Sequence, residues 1–139
     1  MKTHRCEYLL LRCMDFRLEP ALEAWLRPYL GRADVISIAG SCKLLAETPD
    51  SWPALFIWDN LRLAYEQHGV RKVILTQHQD CGAYGGAGAF GSVEAEKLKL
   101  LGDLRQVKEI LGRRFPDVQV SGYWLEPAGA EWELETISF

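Results

Sequence analysis

The chain reads as an α/β protein built on a mostly parallel central sheet of about five strands flanked by helices. Three observations carry this reading. Short β-branched or apolar runs alternate with longer segments of helical period. Glycine, proline and aspartate punctuate the junctions between them. The chemically unusual side chains cluster at the carboxyl ends of the expected strands, where open α/β sheets place their ligands.

Taken in order, Tyr8–Arg12 is a short apolar run and reads as a buried strand. Pro20 suits a first helical position, and Leu18, Leu22, Trp25, Leu26 and Tyr29 follow at helical spacing until Gly31. Asp34–Ala39 is β-branched and reads as the second strand. A polar Pro49-Asp50-Ser51 segment precedes a helix over Trp52–His68, which Gly69 closes. Arg71–Gln77 is the third strand, Val93–Phe115 a long helix broken by Pro116-Asp117, and Val118–Leu125 the fourth strand. Trp132–Phe139 alternates as an edge strand and hairpin partner would. Between His78 and Val93, the run from Gly82 to Gly91 is the one glycine-dense stretch and predicts a loop that turns sharply or approaches something closely.

With 139 residues, one domain over 1–139 is expected. The 48% apolar and 25% charged shares exclude a disordered or coiled-coil chain, and a net charge of −3 supplies no basic field for nucleic acid. No apolar run approaches the length of a membrane span, and the Met1–Arg12 start lacks the long apolar core and cleavage site of a signal peptide. A cytoplasmic protein is therefore expected, with reduced thiols, and Cys6, Cys13, Cys42 and Cys81 point to metal binding or catalysis rather than a disulfide scaffold.

Cys13, His78 and Cys81 sit on strand ends that parallel pairing would bring together. Two sulfurs and one imidazole suit Zn2+, and three protein ligands leave the fourth position open for chemistry. His78 and Cys81 have the spacing of a ligand pair on a tight turn, with Gly82 letting the backbone bend. Asp15 and Arg17, two residues apart, would share one side of an extended segment. A bidentate pair would keep Asp15 ionised and aimed. Beside zinc, whose bound water has a pKa near ~7 in known hydratases, such a carboxylate would orient a hydroxide nucleophile.

Cys13-Met14-Asp15-Phe16-Arg17 and His78-Gln79-Asp80-Cys81-Gly82 resemble the Cys-x-Asp-x-Arg and His-x-x-Cys-Gly motifs of β-class carbonic anhydrases, in the family's order. The resemblance spans about Tyr8 to Leu125, and its specific part is these two pentapeptides. It implies zinc on Cys13, His78 and Cys81, a catalytic dyad of Asp15 and Arg17, a homo-oligomer such as a dimer, and reversible hydration of carbon dioxide to bicarbonate. In some members the aspartate ligates zinc instead and shuts the site. Ser37 stands where an arginine is common, the Tyr84-Gly85-Gly86 extension is atypical, and the chain is expected to fold without the N-terminal helical arm of many members. Relatives with the same zinc motif hydrolyse carbon disulfide or carbonyl sulfide, and a closed, non-enzymatic zinc domain is the remaining alternative.

Other residues have plainer readings. Cys42 is expected as a small buried residue, with a fourth ligand or a reactive thiol as alternatives. Cys6 is expected to be inert, His4 solvated, and His68 a helix C-terminal imidazole without a ligand role. Asp80, between the two ligand positions, either orients a ligand through a hydrogen bond or caps the following turn. Tyr84 either contacts substrate or packs down as a lid. Trp25, Trp52, Phe56 and Trp58 are expected as core or dimer contacts. The Glu94–Arg114 charges are expected on a solvated helix face, with Leu98, Leu101, Leu104 and Leu111 marking the buried one.

Overall fold

A computed structural model describes residues 4–29 and 31–139. Met1–Thr3, the first part of the start read above as no signal peptide, and Leu30 lie outside the described residues. Strands β1 (Tyr8–Cys13), β2 (Ala33–Ile38), β3 (Lys72–His78), β4 (Gln119–Ala128) and β5 (Glu131–Thr136) form one sheet in the order β2-β1-β3-β4-β5. The pairs β1–β2, β1–β3 and β3–β4 are parallel, and β4–β5 is an antiparallel hairpin. The expected α/β architecture is present, and the last strand is the edge hairpin partner. It ends at Thr136, because past this point the chain leaves the ladder and only Ile137 N–H still bonds back, to Gly122 O.

β1 is covered on both faces, so Leu9, Leu10 and Leu11 are all essentially inaccessible, as a central parallel strand requires. β2 lies at an edge and alternates, with Val35 and Ser37 exposed. Helices α1 (Glu19–Leu26), α2 (Lys43–Glu47), α3 (Trp52–Leu63) and α4 (Val93–Arg114) cover the sheet. Pro20 begins α1 as expected. That helix is shorter than its apolar spacing suggests, because Pro28 lacks an N–H and the segment tightens into a 3₁₀ turn over Arg27–Tyr29. α3 is capped by Ser51, whose side chain accepts from Ala54 N–H, and runs on through a π turn to His68 before Gly69 ends it with φ 73°. The short α2 has no signal in the apolar pattern and is absent from the sequence reading.

The buried face of α4 is Leu100, Leu101, Leu104, Val107, Ile110 and Leu111. Leu98 does not belong to it and is 74% exposed. The charged face is also not wholly solvated, since Glu96 and Asp103 are buried. Trp58 is buried and Trp25 packs partly into the core, whereas Trp52 and Phe56 stand on the surface. Among the described residues no helix is long and apolar enough to cross a membrane.

The topology decides where a crevice opens. β1 and β3 pair only as far as Leu11 and Leu75. Beyond that point β1 follows β2 to Cys13, and β3 follows β4 to His78. The two central strands therefore splay at the point where strand order reverses, which is where α/β sheets bind ligands. The Leu11 carbonyl at the fork accepts from Thr76 Oγ1 at 3.0 Å and Ser41 Oγ at 3.4 Å, so the split leaves it satisfied.

Candidate metal centre

Three sequence-predicted residues meet in this fork. Cys13 ends β1, His78 ends β3, and Cys81 follows on the tight turn. Their sulfur and nitrogen atoms all lie within 4.8 Å of one another, and all three side chains are buried. Cys13 Sγ and Cys81 Sγ are 3.9 Å apart. Two sulfurs on a tetrahedral zinc with ~2.3 Å bonds stand about 3.8 Å apart, so the spacing fits. His78 Nδ1–H donates to Gln79 O at 2.8 Å, which fixes the tautomer and leaves the Nε2 lone pair free. That Nε2 is fully buried and has no hydrogen-bond partner. A buried imidazole nitrogen without a partner, facing two sulfurs, is what a metal ligand looks like when the protein alone is considered.

The thiols are already polarised. The Cys13 thiol is pushed down because its sulfur accepts the Cys81 S–H, with His78 and the backbone N–H groups of Gly40 and Asp15 adding to the effect. Cys81 is pushed up for the complementary reason, since a second thiolate would sit against the first. A divalent cation removes that conflict by binding both as thiolates.

Asp15 and Arg17 are joined as expected, though on different local structure. They lie on a 3₁₀ turn rather than an extended segment, with Asp15 as its N-cap accepting from Arg17 N–H at 2.9 Å. Arg17 Nε donates to both Asp15 oxygens at 3.1 Å, and Arg17 Nη2 donates to Oδ2 at 2.6 Å. This clamp holds the Asp15 carboxyl below the usual carboxylate range. Asp15 Oδ2 stands 3.8 Å from His78 Nε2, beside the ligand cluster and outside it.

Asp80 closes the turn, as one of its readings expected, and orients Arg17 rather than a candidate ligand. Its Oδ1 accepts from Ala87 N–H at 2.8 Å and closes the turn, while Oδ2 accepts from Arg17 Nη1 at 2.8 Å. Arg17 is thus held between two carboxylates and also donates to Asp80 O at 2.8 Å. Asp80 itself has φ 58°, and its N–H is fixed by Glu96 Oε1 at 2.7 Å. Gly40 is required next to this turn: at φ +77° it passes so near the glycine loop that a Cβ would lie 3.0 Å from those of Ala83 and Lys43.

Tyr84 packs down rather than toward substrate. Its hydroxyl accepts from Gln77 Nε2 at 3.0 Å and donates to Asp103 Oδ2 at 2.7 Å, pinning the loop to α4. Burial and Asp103 push its phenol up. Cys42 is wholly buried in the core and stands outside the ligand cluster. Burial pushes its thiol up to about 12, so it is a packing residue and no reactive nucleophile.

Several positioning residues escaped the sequence reading. Arg12 is buried, donates from Nε to Cys13 O at 2.9 Å, and pairs with Glu19 at 2.7 Å. Glu96 fixes the Asp80 turn. Trp132 on β5 meets the His78 ring edge-on at 5.9 Å, and the Arg17 guanidinium lies 5.6 Å from its ring centroid. Glu96 and Trp132 act on residues distant in the chain, so nothing in the local sequence marks them, and Arg12 is hidden because a charged residue is not expected to be buried in a strand. Over the cluster opens a shallow cleft of about 660 Å³ whose lining includes Cys13, Asp15, Arg17, Asp80 and Gly82, with Met14 and Phe16 exposed at its mouth.

Comparison with known proteins supports the same reading. Residues 3–138 match the model of a family described as "Putative carbonic anhydrase". An uncharacterized protein of Rickettsia conorii is 25% identical over 118 residues, covering 81% of this chain. This chain spans 63% of that relative's length. Among solved structures, a β-carbonic anhydrase of Trichomonas vaginalis superposes with TM-score 0.67 at 17% identity, over 99% of this chain and 86% of its own. A carbonic anhydrase from Glaciozyma antarctica gives 0.60 at 21% identity, over 94% and 81%. One of two β-carbonic anhydrases described as tetrameric, from Sordaria macrospora, gives 0.60 at 15% identity, over 99% and 83%.

Proposed function

Because the chain belongs to the carbonic anhydrase family whose model it matches over residues 3–138, we propose that it is a zinc-dependent lyase that reversibly hydrates carbon dioxide to bicarbonate. The observation that carries this is the buried, partnerless His78 Nε2 facing Cys13 and Cys81, with a clamped Asp15 carboxylate next to it. Cys13, His78 and Cys81 would hold Zn2+. Zinc in such a three-ligand site acidifies a water molecule to a pKa near ~7 and so makes a nucleophile available at neutral pH.

The chain's own residues do the rest. Asp15 is kept ionised by Arg17, so it would accept a hydrogen bond from a water held at this centre and fix its orientation. Arg17 is held in turn by Asp80 on one side and Trp132 on the other, which stops Asp15 from swinging onto the metal. That arrangement favours an open, catalytic site over the closed, non-enzymatic alternative. Cytoplasmic location, where thiols stay reduced, is part of the same proposal.

The test is zinc content per chain together with stopped-flow hydration of carbon dioxide from about pH 6.5 to 9, bracketing the expected pKa. At least one zinc per chain and a rate that rises with pH is the expected result. One zinc with no hydration, but with turnover of carbonyl sulfide or carbon disulfide, would move the substrate and keep the site. Protein purified without chelator that holds no zinc would overturn the proposal.

A homo-oligomer, a dimer in the simplest case, belongs to the proposal. The edge strand β2 exposes Val35, and α3 exposes Trp52, Leu55 and Phe56 around a groove of about 560 Å³. A second copy of the chain is the occupant that this apolar face and open strand edge suit best. Sedimentation should give a dimer or larger species that Phe56→Asp dissociates; a monomeric native protein would overturn this part.

A further inference from the structure

A second group of metal-ligand types lies at the other end of the sheet. Cys6 precedes β1, Asp34 is on β2, and His68 ends the turn that leads toward β3. Their ligand atoms all lie within 4.8 Å of one another. The parallel strands place this cluster roughly 20 Å from the catalytic fork, about one strand length away. It is built by tertiary structure: Cys6 N–H donates to His68 O at 3.0 Å, and His68 Nδ1 lies 2.7 Å from Asp34 Oδ2. The ring of His4 stands edge-on to that of His68, centroids 6.4 Å apart, and brings a further imidazole to the same spot.

We propose that Cys6, Asp34 and His68 form a second binding site for a divalent transition-metal ion of the zinc class, with a solvent molecule in the fourth position. One thiolate, one carboxylate and one imidazole is a donor set that selects zinc over calcium or magnesium. The half-buried side chains leave an entry path from solvent. The thiol faces the Asp34 carboxylate with no cation between them, and that repulsion together with burial holds its proton on. A divalent ion relieves it, and with one thiolate and one carboxylate the filled site is neutral. Of the surrounding basic side chains, Arg32 and Lys72 are paired with Glu7 and Arg71 with Asp117, while Arg5 packs against Gly69 with no acidic partner among the described residues, so the site must hold its ion against that one cation. The ion would tie the segment before β1 to β2 and to the end of α3, so its expected role is structural.

The test is a cobalt(II) titration of untagged, metal-stripped protein, read by cobalt–thiolate absorbance, with zinc displacing the bound cobalt. The wild type should take up two equivalents. Cys6→Ser and His68→Gln should each take up one, and Cys6→Ser should lose about one third of the thiolate absorbance, since three ligating sulfurs become two. Cys13→Ser/Cys81→Ser should keep one equivalent, and zinc should still raise its melting temperature, an increment that adding Cys6→Ser abolishes. Cys6→Ser that binds and absorbs as the wild type does would overturn the proposal, as would a single equivalent lost with Cys13 and Cys81. Failure of the catalytic centre reads differently: a single equivalent lost with Cys6 and retained by Cys13→Ser/Cys81→Ser.

Discussion

The two ends of the parallel sheet carry similar donor types beside the same central strands, yet the chain treats them in opposite ways. At the carboxyl end, Cys13, His78 and Cys81 are buried, and His78 Nε2 has no partner within the protein. At the amino end, Cys6, Asp34 and His68 are half-exposed, and His68 already shares a hydrogen bond with Asp34. Desolvation sets the contrast. A buried imidazole nitrogen without a partner costs free energy that only a ligand recovers, whereas a solvated imidazole–carboxylate pair is near balance by itself. On the proposed function the first end would therefore be committed to its ion, and on the further inference the second would respond to ion supply.

The largest expected effect comes from removing a donor at the committed end. His78→Ala or Cys81→Ser should lose the zinc of this centre, leaving no more than the equivalent assigned to Cys6, Asp34 and His68, and reduce hydration by at least about three orders of magnitude. Elemental analysis beside stopped-flow rates checks it, and full activity in either variant would remove the distinction between the ends. Asp15→Asn comes next. It should keep zinc and cost about 10²- to 10⁴-fold in rate, because a neutral amide is a poor acceptor where a carboxylate is needed. Arg17→Ala should retain zinc and lose about 10- to 100-fold, as loss of an outer-shell partner does.

Smaller effects test the supporting shell. Glu96→Ala leaves the Asp80 N–H without its acceptor and should destabilise the folded protein by about 1–3 kcal/mol in urea unfolding. The same change at an exposed α4 acid such as Glu94 should do almost nothing. The smallest effect concerns the thiols. In metal-free protein at pH 8, an alkylating reagent should modify Cys13, whose thiol is pushed down, while Cys42, wholly buried with its thiol pushed up to about 12, reacts only after unfolding. Mass spectrometry of the labelled peptides decides, and early labelling of Cys42 would show that its shell opens readily.

What could be read without coordinates follows the range of each interaction. β1, β3 and β4 are legible because a strand buried in a parallel sheet needs apolar or β-branched residues along its length. The meeting of Cys13, His78 and Cys81 is legible because they fall at strand ends that parallel pairing brings together. Leu98 misled because it falls on a helical period with Leu101, but the helix turns it past the edge of the packed stripe. Glu96 and Asp103 misled because acids on a long helix are ordinarily solvated, and only the fold brings the Asp80 N–H and the Tyr84 hydroxyl to them. Cys6 and His68 read as inert for the same reason: they are far apart in sequence, and parallel pairing sets them side by side.

Trp132 carries a consequence for biosynthesis. It comes from the last strand, yet it walls both a ligand on β3 and the arginine after β1. The first pentapeptide is synthesised well before Trp132, so a nascent chain carries Arg17, and then His78, before their aromatic wall exists. On the proposed function, a chain stalled before β5 would hold the candidate ligands without the wall that steadies His78 and Arg17.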